Sequence, residues 1–221
     1  MHVLDHPIWN ALCTRHAGIA VGDALAKRYP SDLLPFADIS GNEKENWDAL
    51  LKLLERGDQC ILIQKDPITV KVSVPATFAS GLQMVAAESV QGGFHPDIVK
   101  LGSEYVPQIM ELCSLTHAAP VRAGTSSIQQ FWGILSEGRL IAMAGERFKQ
   151  PGFSEISAVC THPEHRGQGL ARALTMHLVQ QIRSQEETPY LHVYATNKAA
   201  ISLYESLGFK VRMPVYSAIV G

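Results

Sequence analysis

Neither sign of charge dominates this chain of 221 residues: 19 Lys and Arg stand against 21 Asp and Glu, a formal net charge of −2. The cationic surplus that follows a polyanion is missing, which removes nucleic acid as a first partner. No uninterrupted apolar run reaches the ~20 residues that cross a bilayer, so no membrane association is expected. The opening MHVLDHPIWNAL carries Asp5 and Pro7 and lacks a cationic segment followed by a long apolar one, unlike a secretory signal. Cysteine is sparse too. Cys13, Cys60, Cys113 and Cys160 stand too far apart for any C-x-x-C pair. Disulfides stay open on spacing alone, but a reduced, cytoplasmic protein is the simpler expectation. What is abundant is apolar surface: 46% hydrophobic against 18% charged residues reads as globular, with length for one large domain or two small ones.

The first ninety residues read as an α/β unit. Pro7 and Pro30 bound a helical stretch that Gly18 and Gly22 break into two pieces. A firmer helix runs over 42–57, with Asn42 as cap, Trp47, Leu50, Leu51 and Leu54 on one face, and Gly57 at the end. CILIQ (60–64) and LQMVAAE (82–88) are short strands. The stretch VQGGFHPD (90–97) is a connector, dividing an N-terminal α/β region, 1–92, from a second unit, 93–221.

The second unit has a clear order. IVKLG is a strand, Ser103 caps a helix in which Pro107 comes early, and THAAPVRAGTSS is an irregular loop. A hairpin turns at SEGR, where Gly138 takes positive φ, and FSEISAVCT follows as a strand. Leu170, Leu174, Leu178 and Ile182 recur four apart on a helix. Then come strand YLHVYAT, helix KAAISLYESLG closed by Gly208, and strand FKVRMPVYSAIV. The order β-α-β-β-β-α-β-α-β predicts a mixed α/β fold, largely antiparallel with flanking helices and one strand-helix-strand crossover.

The crossover carries the chemistry. In VCTHPEHRGQGLARAL a strand runs into a turn with two glycines and then directly into a helix. The first N–H groups of a helix lack internal partners and lie at the positive end of its dipole, so an anion satisfies them. Gly167 and Gly169 let the backbone approach a bulky diphosphate, Ala171 is the next smallest choice, and Arg166 adds a permanent charge. The alternative is a glycine-rich turn before a capped helix.

R-G-Q-G-L-A, followed at the expected distance by NKAAISLYESLGF, resembles the two signatures of the GNAT superfamily of acetyl-CoA-dependent N-acetyltransferases. With the hairpin GRLIAMAGERF, the chain over about 95–221 is similar to the branch related to glycine N-acyltransferases. The resemblance implies the GNAT fold, with residues 1–92 as a reduced second α/β half. It implies that Arg166, Gly167, Gln168, Gly169, Leu170 and Ala171 hold the pyrophosphate of coenzyme A. Strand residues Val159, Cys160 and Thr161 would line a V-shaped slot for the pantetheine arm, where a backbone N–H would also polarise the thioester carbonyl. Asn197 would bond the arm and Tyr204 would protonate the departing thiolate.

Each role has a plainer counterpart. Tyr204 could be a core aromatic, Asn197 only a helix cap, and Arg166 a surface charge, while Arg172 reaches either the phosphates or solvent. A general base or water relay must take the amine's proton. Glu155 is the first candidate and Glu146 the second, against a strand carboxylate paired with a cation. His162 and His165 flank a turn without a third ligand, so no metal is expected. Cys160 reads as a small buried side chain, not a nucleophile. The expected partners are acetyl-CoA and a small amine. The branch often carries a proline-glycine-proline-aromatic run where this chain has AAPVRAGT, so the acceptor's identity does not carry over. The N-terminal region either completes the acceptor pocket or only packs and forms a homodimer. A coenzyme A sensor without chemistry and a protein-modifying acetyltransferase are the rival readings.

Overall fold

The computed structural model describes residues 2–221. Its first helix, α1 (Pro7–Cys13), starts on a proline, which fits where no N–H partner is needed. The helical stretch expected over 14–30 is instead a 3-10 turn and two short strands, β1 (Val21–Gly22) and β2 (Ala26–Arg28), which join β3 (Ala37–Ile39) in a three-stranded sheet. The reason is local. Asp23 Oδ1 accepts from the N–H groups of Leu25 and Ala26, an Asx turn that competes with helix. Gly22 takes φ +123°, where a Cβ would sit 2.2 Å from the Ala26 carbonyl oxygen.

Helix α2 (Lys44–Lys52) buries Trp47 and Leu50 of the expected face, and Asn46 beside them; it stops at Lys52, so Leu54 and Gly57 lie beyond it and Leu51 and Leu54 are only half-buried. Asn42 does not cap it. Its Oδ1 accepts from Trp47 Nε1 at 2.8 Å, and Glu43 holds the cap position.

The main sheet has eight strands: β4 (Cys60–Gln64), β5 (Ala76–Ala86), β6 (Ile98–Leu101), β7 (Phe131–Ser136), β8 (Arg139–Gln150), β9 (Phe153–Thr161), β10 (Thr188–Tyr194) and β11 (Phe209–Val220). Their spatial order is β4-β11-β5-β10-β9-β8-β7-β6, and only β9 and β10 run parallel. The mixed, largely antiparallel α/β fold with flanking helices is the one expected. The N-terminal residues are woven into it: β5 lies between β10 and β11, and β4 pairs with β11 along the edge.

Helix α3 (Val106–Thr116) follows a 3-10 turn at Ser103–Tyr105, so the cap position falls on Tyr105 and not Ser103. Helix α4 (Leu170–Arg183) buries Leu174, Leu178 and Ile182, and α5 (Lys198–Ser206) buries Ile201 and Tyr204. Together they cover one face of the sheet over Ile156, Leu191 and Val193. On the other side, α1 with Tyr29, Phe36 and Phe148 forms a second core. The connector after β5 lies on α4. Gly93 N–H donates to the Met176 carbonyl at 3.1 Å, and a Cβ on Gly92 would stand 2.4 Å from the Gln180 backbone.

Candidate active site

Strands β9 and β10 share only four register pairs, Phe153–Ile156 against Thr188–Leu191. Beyond these, β9 stays with β8 as far as Thr161, and β10 stays with β5 as far as Tyr194. The parallel pair therefore parts in the middle of the sheet. At the parting point β9 bulges: Ala158 and Val159 together oppose Ala144, and Ala158 takes φ +53°. A left-handed alanine costs about 1 kcal/mol or more, and the bulge leaves backbone groups outside the ladder. A cleft of about 870 Å³ fills the parting, and Val159, Cys160, Thr161, Arg166, Ala171, Asn197 and Tyr204 all line it.

At the helix end, Gly167 and Gly169 take φ of +78° and +79°, and a Cβ on either would meet nothing within 4 Å. Gly169 is the N-cap of α4 and offers no side-chain cap, so the first N–H groups of the helix are left for a ligand. Gln168, Gly169 and Leu170 also line a smaller groove of about 370 Å³ beside exposed Phe94. Arg172 is exposed and lines this smaller groove as well, while its Nη2 donates to Ser206 Oγ at 3.0 Å. The open N–H groups and the bare glycines suit a diphosphate.

Asn197 does cap α5: its Oδ1 accepts from Ala200 N–H at 3.1 Å. Tyr204 is 8% exposed, lines the cleft, and has its phenol pushed up to about 12, first by burial and then by Cys160 nearby. It stays protonated and available as an acid across the physiological range. Cys160 is buried, with Cys113 of α3 beside it in the same cluster; all four cysteines are unpaired. His162 and His165 sit in the turn with ring centroids 5.9 Å apart, and His162 Nδ1 accepts from Glu164 N–H.

Neither carboxylate expected as a base lines the cleft. Glu146 is buried between Lys149 Nζ at 2.8 Å and Ser154 Oγ at 2.8 Å. Glu155 is wholly buried and accepts from Arg147 Nε (2.8 Å) and Nη2 (2.7 Å), with His192 Nδ1 at 2.7 Å from Oε1. Burial pushes its carboxyl up, but the Arg147 guanidinium and then His192 outweigh that and hold it at about 2. It is ionised but a weak base. The groups that do reach the cleft are Arg147 and His192, which sequence reading missed. The signal was faint. A second bulge, in β8, sets Arg147 and Phe148 together opposite Glu155, and no alternation pattern reveals such a register shift.

His192 Nε2 meets Gln83 Nε2 at 3.1 Å, while Gln83 Oε1 accepts from Arg212 Nη1. The amide nitrogen is therefore the group that faces the ring Nε2, while Nδ1 faces Glu155. Arg147 also packs against the edge-to-face pair Phe36 and Phe148, whose centroids are 5.0 Å apart; its guanidinium carbon is 4.6 and 4.5 Å from the two ring centroids.

The same architecture occurs in a solved structure from Novosphingobium aromaticivorans assigned to the GNAT family of acetyltransferases. It is 36% identical, covers 100% of this chain and 99% of that one, and superposes with a TM-score of 0.92. The chain belongs to the GNAT family. Residues 131–217 also match the model of the FR47-like protein family. A GCN5-related N-acetyltransferase from Kribbella flavida shares the fold at 14% identity, with a TM-score of 0.64 over 96% of this chain and 95% of that one. Two curated relatives match over shorter stretches. The ribosomal protein bS18-alanine N-acetyltransferase of Escherichia coli strain K12 is 46% identical over 52 residues, 23% of this chain and 35% of that protein. The mycothiol acetyltransferase of Mycolicibacterium smegmatis is 32% identical over 78 residues, 34% of this chain and 26% of that protein. The match thus spans about a third of either curated relative or less.

Two outcomes follow for this GNAT protein. Gly169→Glu places bulk and negative charge at the uncapped helix start, and calorimetric titration is expected to show acetyl-CoA affinity down by at least about tenfold. Unchanged affinity in a folded variant overturns the cradle. Glu155 has a carboxyl depressed from 4.5 to about 2, so its stabilisation is full above pH 4.5 and is lost as the pH falls toward 2. Glu155→Gln leaves the Arg147 guanidinium buried without a counterion, and urea unfolding at pH 7 is expected to show a loss of about 3–5 kcal/mol. A loss that stays the same at pH 2 contradicts this assignment.

Proposed function

We propose that this chain transfers the acetyl group of acetyl-CoA to the primary amine of a small molecule, by direct attack of the amine on the thioester. The observation that carries this is the single cleft joining the slot between β9 and β10 to a pocket on the opposite face, walled by Phe36, Ile61 and Ile63. The cradle before α4 would hold the pyrophosphate and Arg166 would add charge to it. The bulge at Ala158 and Val159 would supply a backbone N–H to the thioester carbonyl. Tyr204, buried beside the slot with its proton retained, would protonate the leaving thiolate.

Glu155 acts at one remove in this reading. It holds His192 and Arg147 in place, and water in the cleft takes the amine's proton, since neither Glu155 nor Glu146 lines it. Residues 1–92 act as the wall of the acceptor side, a reduced second half that narrows the pocket; a narrow pocket suits a small amine better than a protein chain. Of the two curated relatives, one is named for a protein substrate and one for a small thiol. Both match this chain over too little of their length to choose between them. The resemblance to glycine N-acyltransferases favours the small acceptor, and four free thiols suit a cytoplasmic setting.

Tyr204→Phe removes one hydroxyl and little volume. Turnover, read by thiol release, is expected to fall about 10- to 1,000-fold, at or below the usual range for a lost general acid, with acetyl-CoA affinity barely changed. Turnover equal to the unaltered protein returns Tyr204 to the core. A panel of amino acids, polyamines, aminoglycosides, peptides and intact proteins tests the acceptor class. Acetylation of a protein or long peptide, with none of any small amine, overturns the small-molecule reading.

A further inference from the structure

We infer that the acceptor is an amine that carries its own carboxylate on an apolar body, an apolar amino acid, and that Arg147 anchors the carboxylate. The inference rests on the acetyl-transfer reading above and goes further, because it names what the pocket selects.

Three observations support it. The first is charge. No Asp or Glu lines the cleft, although two carboxylates lie just behind its wall. A polycation such as a polyamine or aminoglycoside would have to leave its hydration without meeting a single counterion, which disfavours it strongly. The basic groups that line the cleft are Arg147, Arg166, His117 and His192, and of these Arg166 belongs to the phosphate end.

The second is the state of Arg147. Nε and Nη2 donate to Glu155, and Nη1 makes no hydrogen bond among the described residues. The side chain is 11% exposed and its open part lies on the cleft. A guanidinium fixed on one edge by a bidentate pair, and packed against the edge-to-face pair Phe36 and Phe148, has little rotamer freedom left to lose. It presents one preorganised donor toward the cleft. A carboxylate there would complete an arginine shared between two anions, with the ring of His192 nearby.

The third is the wall around it. Phe36, Ile61, Ile63 and Val215 line the same end. Glycine would leave these four side chains against water, whereas a branched or aromatic side chain would cover them, at roughly 25 cal/mol for each Å² removed from water.

The test measures thiol release from acetyl-CoA with phenylalanine and leucine, their amides, phenethylamine, glycine and spermidine, using the whole chain. The acids are expected to exceed their amides and phenethylamine by tenfold or more in kcat/KM, and glycine by a similar factor, with spermidine inactive. The amide's amine is the less basic and so more available for attack, which works against the expected order. Arg147→Lys keeps a cation opposite Glu155 but loses the second edge. The acid-to-amide ratio is expected to collapse toward one, with acetyl-CoA affinity unchanged by calorimetry. The ratio in the unaltered protein stands whether or not that variant folds. Equal use of acid and amide, or a preference for spermidine, overturns the carboxylate anchor and leaves acetyl transfer in place. Glycine matching phenylalanine overturns the apolar part. No thiol release with any amine overturns the inference, and acetyl-CoA binding then shows whether the cosubstrate assignment survives.

Discussion

Two neighbouring parallel strands that stop pairing in the middle of a sheet are an unstable arrangement, since each leaves backbone donors and acceptors without partners. The parting of β9 from β10 after four register pairs is the constraint on which the rest of this molecule depends. Each strand keeps its other neighbour, β8 on one side and β5 on the other, so only the edges that face the slot are open. The bulge at Ala158 leaves further backbone groups outside the ladder beside it. Backbone that is extended and unpaired is suited to an amide-bearing arm of the kind pantetheine offers. The cradle before α4 and the phenol of Tyr204 gain their meaning from lying on this slot.

Behind it stands a buried ionic cluster. Arg212 bonds Gln83, Gln83 bonds His192, His192 bonds Glu155, and Glu155 bonds Arg147. Breaking any such chain at one member strands a charge or a donor in a place without water, so it is held all together or not at all. Its partners come from distant parts of the sequence: Gln83 from β5, Arg147 from β8, Glu155 from β9, His192 from β10, Arg212 from β11. Arg212 also binds Asp5 just ahead of α1, at 2.6 Å, and Gln83 Nε2 donates to the Leu4 carbonyl. The cluster thereby ties the first residues of the chain to the centre of the sheet.

These features explain what could be read from the sequence. The bare glycine turn before α4 was legible because it is local: strand, Gly167, Gly169 and helix follow one another within a dozen residues. Asn197 and Tyr204 were legible through spacing on one short helix. Glu155 was found as a residue but misread as a candidate base, because the guanidinium that disarms it arrives by a bulge on the neighbouring strand. Arg147, His192 and Phe36 were missed altogether. Each acts through contacts more than thirty residues away or across a register shift, and neither leaves a periodic trace. The N-terminal strands β1 and β2 were taken for helix because DALAK has good helix formers, while the Asx turn at Asp23 decided otherwise.

The division of labour within the fold follows the same line. Slot, cradle and Tyr204 come from residues 153–206, and the curated relatives resemble the chain over comparably short stretches of 52 and 78 residues. The wall opposite them comes from elsewhere: Phe36 from the segment before β3, Ile61 and Ile63 from β4, Val215 from β11. Phe36 bridges Ile61 in parallel and lies on the Arg147 guanidinium, so one aromatic ring joins the N-terminal core to the ionic cluster. Under the proposed reading, a change in this wall would alter the acceptor admitted without touching the groups assigned to the cosubstrate. In the reading proposed above, cradle and slot answer to the acyl donor, and Phe36, Arg147 and their neighbours answer to the acceptor.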